Sequence, residues 1–114
     1  GYFVNNTPSS RPVKKQFIVE VNNPKMIPLN ISQGEYLDLR VEVLSGNPVN
    51  IEFAQQGTPE DKNAVNKNQG LIGAELIRNY HQRQQWPHAK PAIIIISSQG
   101  KSEVKLEAYP ATSP

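Results

Sequence analysis

From Tyr36 to Val43 the chain is apolar and polar by turns: Leu37, Leu39, Val41 and Val43 alternate with Asp38, Arg40 and Glu42. Successive side chains of a strand point to opposite faces, so this period of two predicts a half-buried antiparallel strand with its aliphatic residues on the core side. The rhythm recurs. Gln16 to Val21 lines up Phe17, Val19 and Val21, Met26 to Ile31 lines up Ile27, Leu29 and Ile31, and Pro48 to Ala54 lines up Val49, Ile51 and Phe53. Asn22-Asn23-Pro24, Ser32-Gln33-Gly34 and Ser45-Gly46-Asn47 carry turn chemistry between these runs, and Pro28, which cannot donate to a ladder, predicts that the second run lies at a sheet edge or is irregular. Pro91 to Ser97 and Lys101 to Tyr109, joined at Gln99-Gly100, read as a closing β-hairpin.

Short strands with polar turns imply a mostly β chain: an antiparallel β-sandwich, jelly-roll-like, of about seven strands. A single domain is expected over residues 14–109, with a flexible lead-in at 1–13 and a tail at 110–114. Gln55 to Gly70 is polar, without a hydrophobic period, and is expected to be a long surface loop. The segment that follows admits two readings. Helical spacing gathers Ile72, Leu76, Ile77 and Tyr80 on one face, predicting a short helix around residues 71–79. Alternation over Tyr80 to Trp86 instead predicts a strand ending at Trp86, entered through a helical turn near Ala74 to Ile77.

Four consecutive isoleucines, Ile93 to Ile96, are apolar on both faces of a strand. Leaving a pair of them in water would forfeit roughly 1.5–3 kcal/mol for each side chain. One face is therefore expected in the core. The other is either roofed by the Leu71 to Ile77 segment or meets a second molecule, with Ile94 and Ile96 as the candidate interface of a homodimer.

Composition narrows the function classes. Twelve Lys and Arg against ten Asp and Glu leave a net charge of +2, with no basic tract of the kind that nucleic acid or an anionic membrane demands. No apolar run approaches the roughly 20 residues of a transmembrane helix. Zero cysteines exclude disulfides, thiol catalysis and a blue-copper centre. Gly1 suggests tag cleavage, so a signal peptide or anchor is compatible with the sequence. Asn5-Asn6-Thr7 and Asn30-Ile31-Ser32 match the glycosylation pattern by a motif common in Asn-rich chains.

Catalytic and metal chemistry find little material. His81 and His88 lack the further ligands and spacing of a zinc or copper site, so no metal and no cofactor is expected. Asp38 and Glu42 flank Arg40 on one strand face, where solvated ion pairs are expected; a hydrolase using surface carboxylates or His81 is the alternative, and clustering of those groups in a pocket would favour it. No Gly-x-Ser-x-Gly elbow or phosphate loop occurs. The densest recognition chemistry is Tyr80, His81, Arg83, Gln85 and Trp86, suited to a protein or peptide partner or to a sugar stacked on Tyr80 and Trp86. The competing expectation buries Trp86 as the core aromatic with Tyr80 beside it.

The run from Pro28 to Glu35, the long strand after it, and Ser45-Gly46-Asn47-Pro48-Val49-Asn50-Ile51 together resemble the pre-peptidase C-terminal and Golgi-dynamics type jelly-roll accessory domains of secreted bacterial proteins. The resemblance covers Gln16 to Tyr109 and consists of turn grammar; in place of the aromatic entry common to those domains, the last strands have Pro91-Ala92-Ile93. It implies a non-catalytic, extracellular or periplasmic module that binds a partner or supports a neighbouring domain. A structural subunit that self-associates is the alternative from another class.

Overall fold

The computed structural model describes residues 12–57, 71–111 and 113. The lead-in up to residue 11, with its glycosylation match at Asn5, and residues 58–70 of the polar loop lie outside the described residues. Among the described residues eight strands form two four-stranded antiparallel sheets: β1 (Val13–Val19), β2 (Lys25–Leu29), β3 (Tyr36–Gly46), β4 (Val49–Gln55), β5 (Leu71–Ile77), β6 (Asn79–Gln85), β7 (Ala92–Ser98) and β8 (Ser102–Ala111). One sheet runs β1-β8-β3-β6 and the other β2-β7-β4-β5. Apart from the step from β4 to β5, every connection crosses from one sheet to the other, which makes the sandwich a jelly roll.

That topology corrects the expected hairpin at the C-terminus. β7 pairs with β2 and β4, whereas β8 pairs with β1 and β3, so Gln99 to Lys101 forms an arch between sheets. The arch is locked by Ser102, 1% exposed, whose hydroxyl donates to the Asn47 carbonyl at 2.7 Å, accepts from the Asn47 amide at 3.1 Å and lies 2.9 Å from Ser98 Oγ. Gly46, at φ +96°, closes the same end of the sandwich, where a Cβ would collide with the Lys101 carbonyl.

The core fills the space between the sheets. Leu37, Leu39 and Val41 of β3 meet Ile51 and Phe53 of β4 and Ile94 and Ile96 of β7 in one buried cluster. Ile94 and Ile96 are fully buried there and leave no surface for a dimer; the pair on the opposite face is Ile93 and Ile95, 4% and 7% exposed and clustered with Ala54. Register decides this, because Ile94 and Ile96 lie beside the inward Ile27, Phe53 and Ile51. Nor does the Leu71 to Ile77 segment roof the isoleucines, since as β5 it extends their own sheet beside β4.

Among the described residues there is no helix, so the helical reading of residues 71–79 is also corrected. The break in alternation at Leu76 and Ile77 arises from two register shifts between β4 and β5, with Leu76 in the left-handed region at φ 52° and its amide held by Asn50 Oδ1 at 2.8 Å. Pro28 sits on an edge strand as expected. Pro110 falls within β8, opposite Leu37 but beyond the last β1 partner, Val13 with Ala108, so β1 loses no hydrogen bond to it.

Candidate functional site

The outer face of the β1-β8-β3-β6 sheet collects the polar half of each alternating strand. Register places Tyr109, Asp38 and Arg83 in one row across it, then Lys14, Glu107, Arg40 and His81 in the next, then Gln16, Lys105, Glu42 and Asn79. Most of these side chains are solvated, as alternation dictates. Asp38 is not: it is 4% exposed.

Its burial follows from ladder geometry. The Val43 amide bonds the Arg78 carbonyl and the Trp86 amide bonds the Glu35 carbonyl, each at 2.8 Å, so along β3 and β6 the pairs Leu37–Gln84, Leu39–Gln82 and Val41–Tyr80 are the hydrogen-bonded ones. Asp38 with Arg83 and Arg40 with His81 are the non-hydrogen-bonded pairs between them, where Cα atoms approach to about 4.5 Å and side chains crowd together. His81 Nε2 lies 2.9 and 3.1 Å from the two Asp38 oxygens, Arg83 Nε donates to Oδ2 at 3.1 Å and Arg40 Nε to Oδ1 at 3.4 Å. An ionised carboxylate only accepts, so Nε2 carries the proton and Nδ1 is left on the far side of the ring.

Burial alone would raise the Asp38 pKa. The hydrogen bonds from His81 and Arg83, the charge of His81 and the Arg40 contact outweigh it, and the carboxyl is held below its usual 3.8. Asp38 therefore keeps its charge, while its partners stay solvated, with side chains 56% (Arg40), 53% (His81) and 43% (Arg83) exposed. Both arginines engage it through Nε. Their terminal nitrogens remain for a ligand, on side chains already oriented.

Next to this network a shallow, open depression of about 360 Å³ lies between Arg40, Glu42, His81, Lys105 and Glu107. Glu42 and His81 thus share a concavity, the arrangement that would favour a hydrolase. The lining of this depression includes no serine or threonine hydroxyl. Among the described residues no group of three or more His, Asp or Glu could hold a metal ion.

The five residues singled out in sequence do not act together. His81, Arg83 and Gln85 share the outer face, with Gln85 donating to the Gly34 carbonyl at 3.0 Å. Tyr80 turns inward and packs half-buried on the core, which pushes its phenol pKa above 10.0. Trp86 is a core residue, 2% exposed, whose Nε1 donates to the Lys90 carbonyl at 2.8 Å and whose ring meets His88 edge-on at 4.9 Å. A sugar platform of Tyr80 and Trp86 is excluded by this burial. His88 Nε2 is itself buried without a hydrogen-bond partner among the described residues. Sequence reasoning placed Asp38, Arg40 and Glu42 together on a solvated strand face but did not join them to β6 or bury Asp38, and it did not single out Glu107, which β8 brings beside Arg40.

In comparison with known proteins, no protein-family model matches the chain and no curated protein matches it significantly.

Proposed function

We propose that this jelly roll is a non-catalytic binding module, working in the extracellular or periplasmic setting that the resemblance implies, and that it meets a protein or peptide partner on the outer face of the β1-β8-β3-β6 sheet. The observation that carries this reading is the burial of Asp38 beneath Arg40, His81 and Arg83. A solvated sheet face gains little from such an arrangement, since exposed ion pairs contribute about 0–1 kcal/mol each. What the arrangement provides is order: long side chains that ordinarily lose about 0.5–1.5 kcal/mol of rotamer freedom on binding are already fixed. The open shape of the face suits a macromolecule better than a small substrate, which needs an enclosing cavity.

The test is selection of a random peptide library on the immobilised domain, with recovered peptides then measured on the Arg40→Ala/Arg83→Ala double variant. Peptides that lose affinity by about tenfold or more on the variant support the reading. Peptides that bind both proteins equally, or a library that yields no binder, would overturn it.

A further inference from the structure

Among the described strands four are terminal, β1 and β6 in one sheet and β2 and β5 in the other. An exposed edge recruits further strands unless it is blunted by Lys, Pro, a bulge or shortness. β1 carries Lys14 and Lys15, β2 has five residues with Pro28 among them, and β5 is twice shifted in register with Leu76 left-handed. β6 lacks Lys, Pro, a bulge and shortness, and its one Arg, Arg83, is turned onto Asp38. Its seven residues, NYHQRQQ, include no Pro and no Lys, and their register with β3 is unbroken from Asn79 to Gln85.

Ladder parity specifies what this edge offers. Because Tyr80, Gln82 and Gln84 spend their backbone groups on β3, the N–H and C=O of Asn79, His81, Arg83 and Gln85 point away from the sheet. The residues with outward backbone groups are therefore the ones whose side chains lie on the outer face, beside the Asp38 network. β6 holds no acidic residue, and Arg83 and Arg40 outnumber the one carboxylate, Asp38, that they enclose together with the His81 ring; Glu42 lies opposite Asn79, at one end of the strand. On the inner side β6 presents the uncharged Tyr80, Gln82 and Gln84.

From these observations we infer that β6 takes up an extended acidic peptide segment as a fifth strand, with backbone bonds to Asn79, His81, Arg83 and Gln85 and with alternate Asp or Glu side chains facing Arg83 and His81. This is strand addition, in which the main chain supplies affinity and alternate side chains supply selectivity. It rests on the binding role proposed above and names the partner's chemistry.

The probe is a blocked heptapeptide alternating Glu with Val or Thr, titrated into ¹⁵N-labelled protein. Saturable shifts and slowed amide exchange confined to Asn79, His81, Arg83 and Gln85 are expected, together with a loss of about tenfold or more when the Glu residues become Lys. N-methylation of alternate peptide bonds supplies the decisive contrast. Methylating the set that faces β6 should abolish binding, and methylating the other set should spare it.

Binding that survives both methylations and depends only on Arg40 and Arg83 would overturn strand addition while leaving the recognition face intact. Failure of every acidic peptide to bind, while library-selected peptides bind the same face, would overturn the acidic partner. A concentration-dependent dimer that His81→Pro abolishes and His81→Ala does not would assign the edge to a second copy of this chain, and would overturn the proposal as well.

Discussion

Asp38→Asn separates the charge of the buried network from its shape. The carboxylate accepts from His81, Arg83 and Arg40 at distances between 2.9 and 3.4 Å. Each donor is about half exposed, so each pairing is screened and contributes about 0.2–1 kcal/mol, well below the 3–5 kcal/mol of a fully buried pair. The sum is about 1–3 kcal/mol, from which the variant recovers part of the cost of dehydrating the carboxylate. The expected loss at pH 7 is about 1–2 kcal/mol. Its pH dependence carries the sign. Since the folded-state pKa lies below 3.8, the folded chain binds fewer protons than the unfolded one, and the stabilisation is complete above the unfolded value and lost as pH falls through the folded one.

Urea unfolding followed by the emission of Trp86, the chain's one tryptophan and a buried one, measures this directly. With a slope of about 1–3 kcal/mol per molar, the variant's midpoint should fall by about 0.5–1 M at pH 7. The gap should persist down to about pH 5 and shrink below the usual carboxylate pKa. Equal midpoints at pH 7, or a gap undiminished at the lowest pH where both proteins fold, would refute an electrostatically held Asp38.

Ser102→Ala should cost about 1–2 kcal/mol by removing the donor to the Asn47 carbonyl and leaving the Asn47 amide only its bond to the Lys101 carbonyl, read as a lowered urea midpoint. Gly46→Ala should cost about 1 kcal/mol or more, since it combines a positive φ with a collision against the Lys101 carbonyl, and thermal unfolding would show a drop of several degrees. Ile94→Lys drives a charge into the core and should abolish cooperative unfolding by circular dichroism; a folded Ile94→Lys protein would contradict the assigned register of β7.

Alternation makes the strands legible because a buried face and a wet face leave their period in the sequence, as β3 and β8 show. Connectivity is less legible. Gln99-Gly100 is equally suitable for a hairpin or for an arch, and what selects the arch is distant: Ser102 reaching Asn47 across the end of the sandwich. Four isoleucines in a row erase the parity of β7, so which pair enters the core is decided by neighbouring strands. The helical look of Leu76 and Ile77 came from a bulge, a break in alternation that has no period of its own.

The same two-residue period explains why the candidate site was half seen. Tyr80, His81, Arg83, Gln85 and Trp86 are neighbours in sequence, yet a strand sends consecutive side chains apart, and only His81, Arg83 and Gln85 reach the outer face. Their partners come from another strand, and a non-hydrogen-bonded pair brings Asp38 close enough for the β6 side chains to cover it. β6 is also polar on its inner side, where Gln82 and Gln84 remain exposed beside the buried Leu39 and Leu37. An edge strand polar on both faces adds little to the core. Its position depends instead on β3 and on the anchors at its ends, the Arg78 carbonyl held by Val43 and Trp86 bonded to Gly34 and Glu35. Those anchors fix both ends of the strand, its register with β3 is unbroken, and no described strand pairs with its outer edge. An exposed polar edge held this firmly fits a surface built to receive a further strand better than one left over from closing a core.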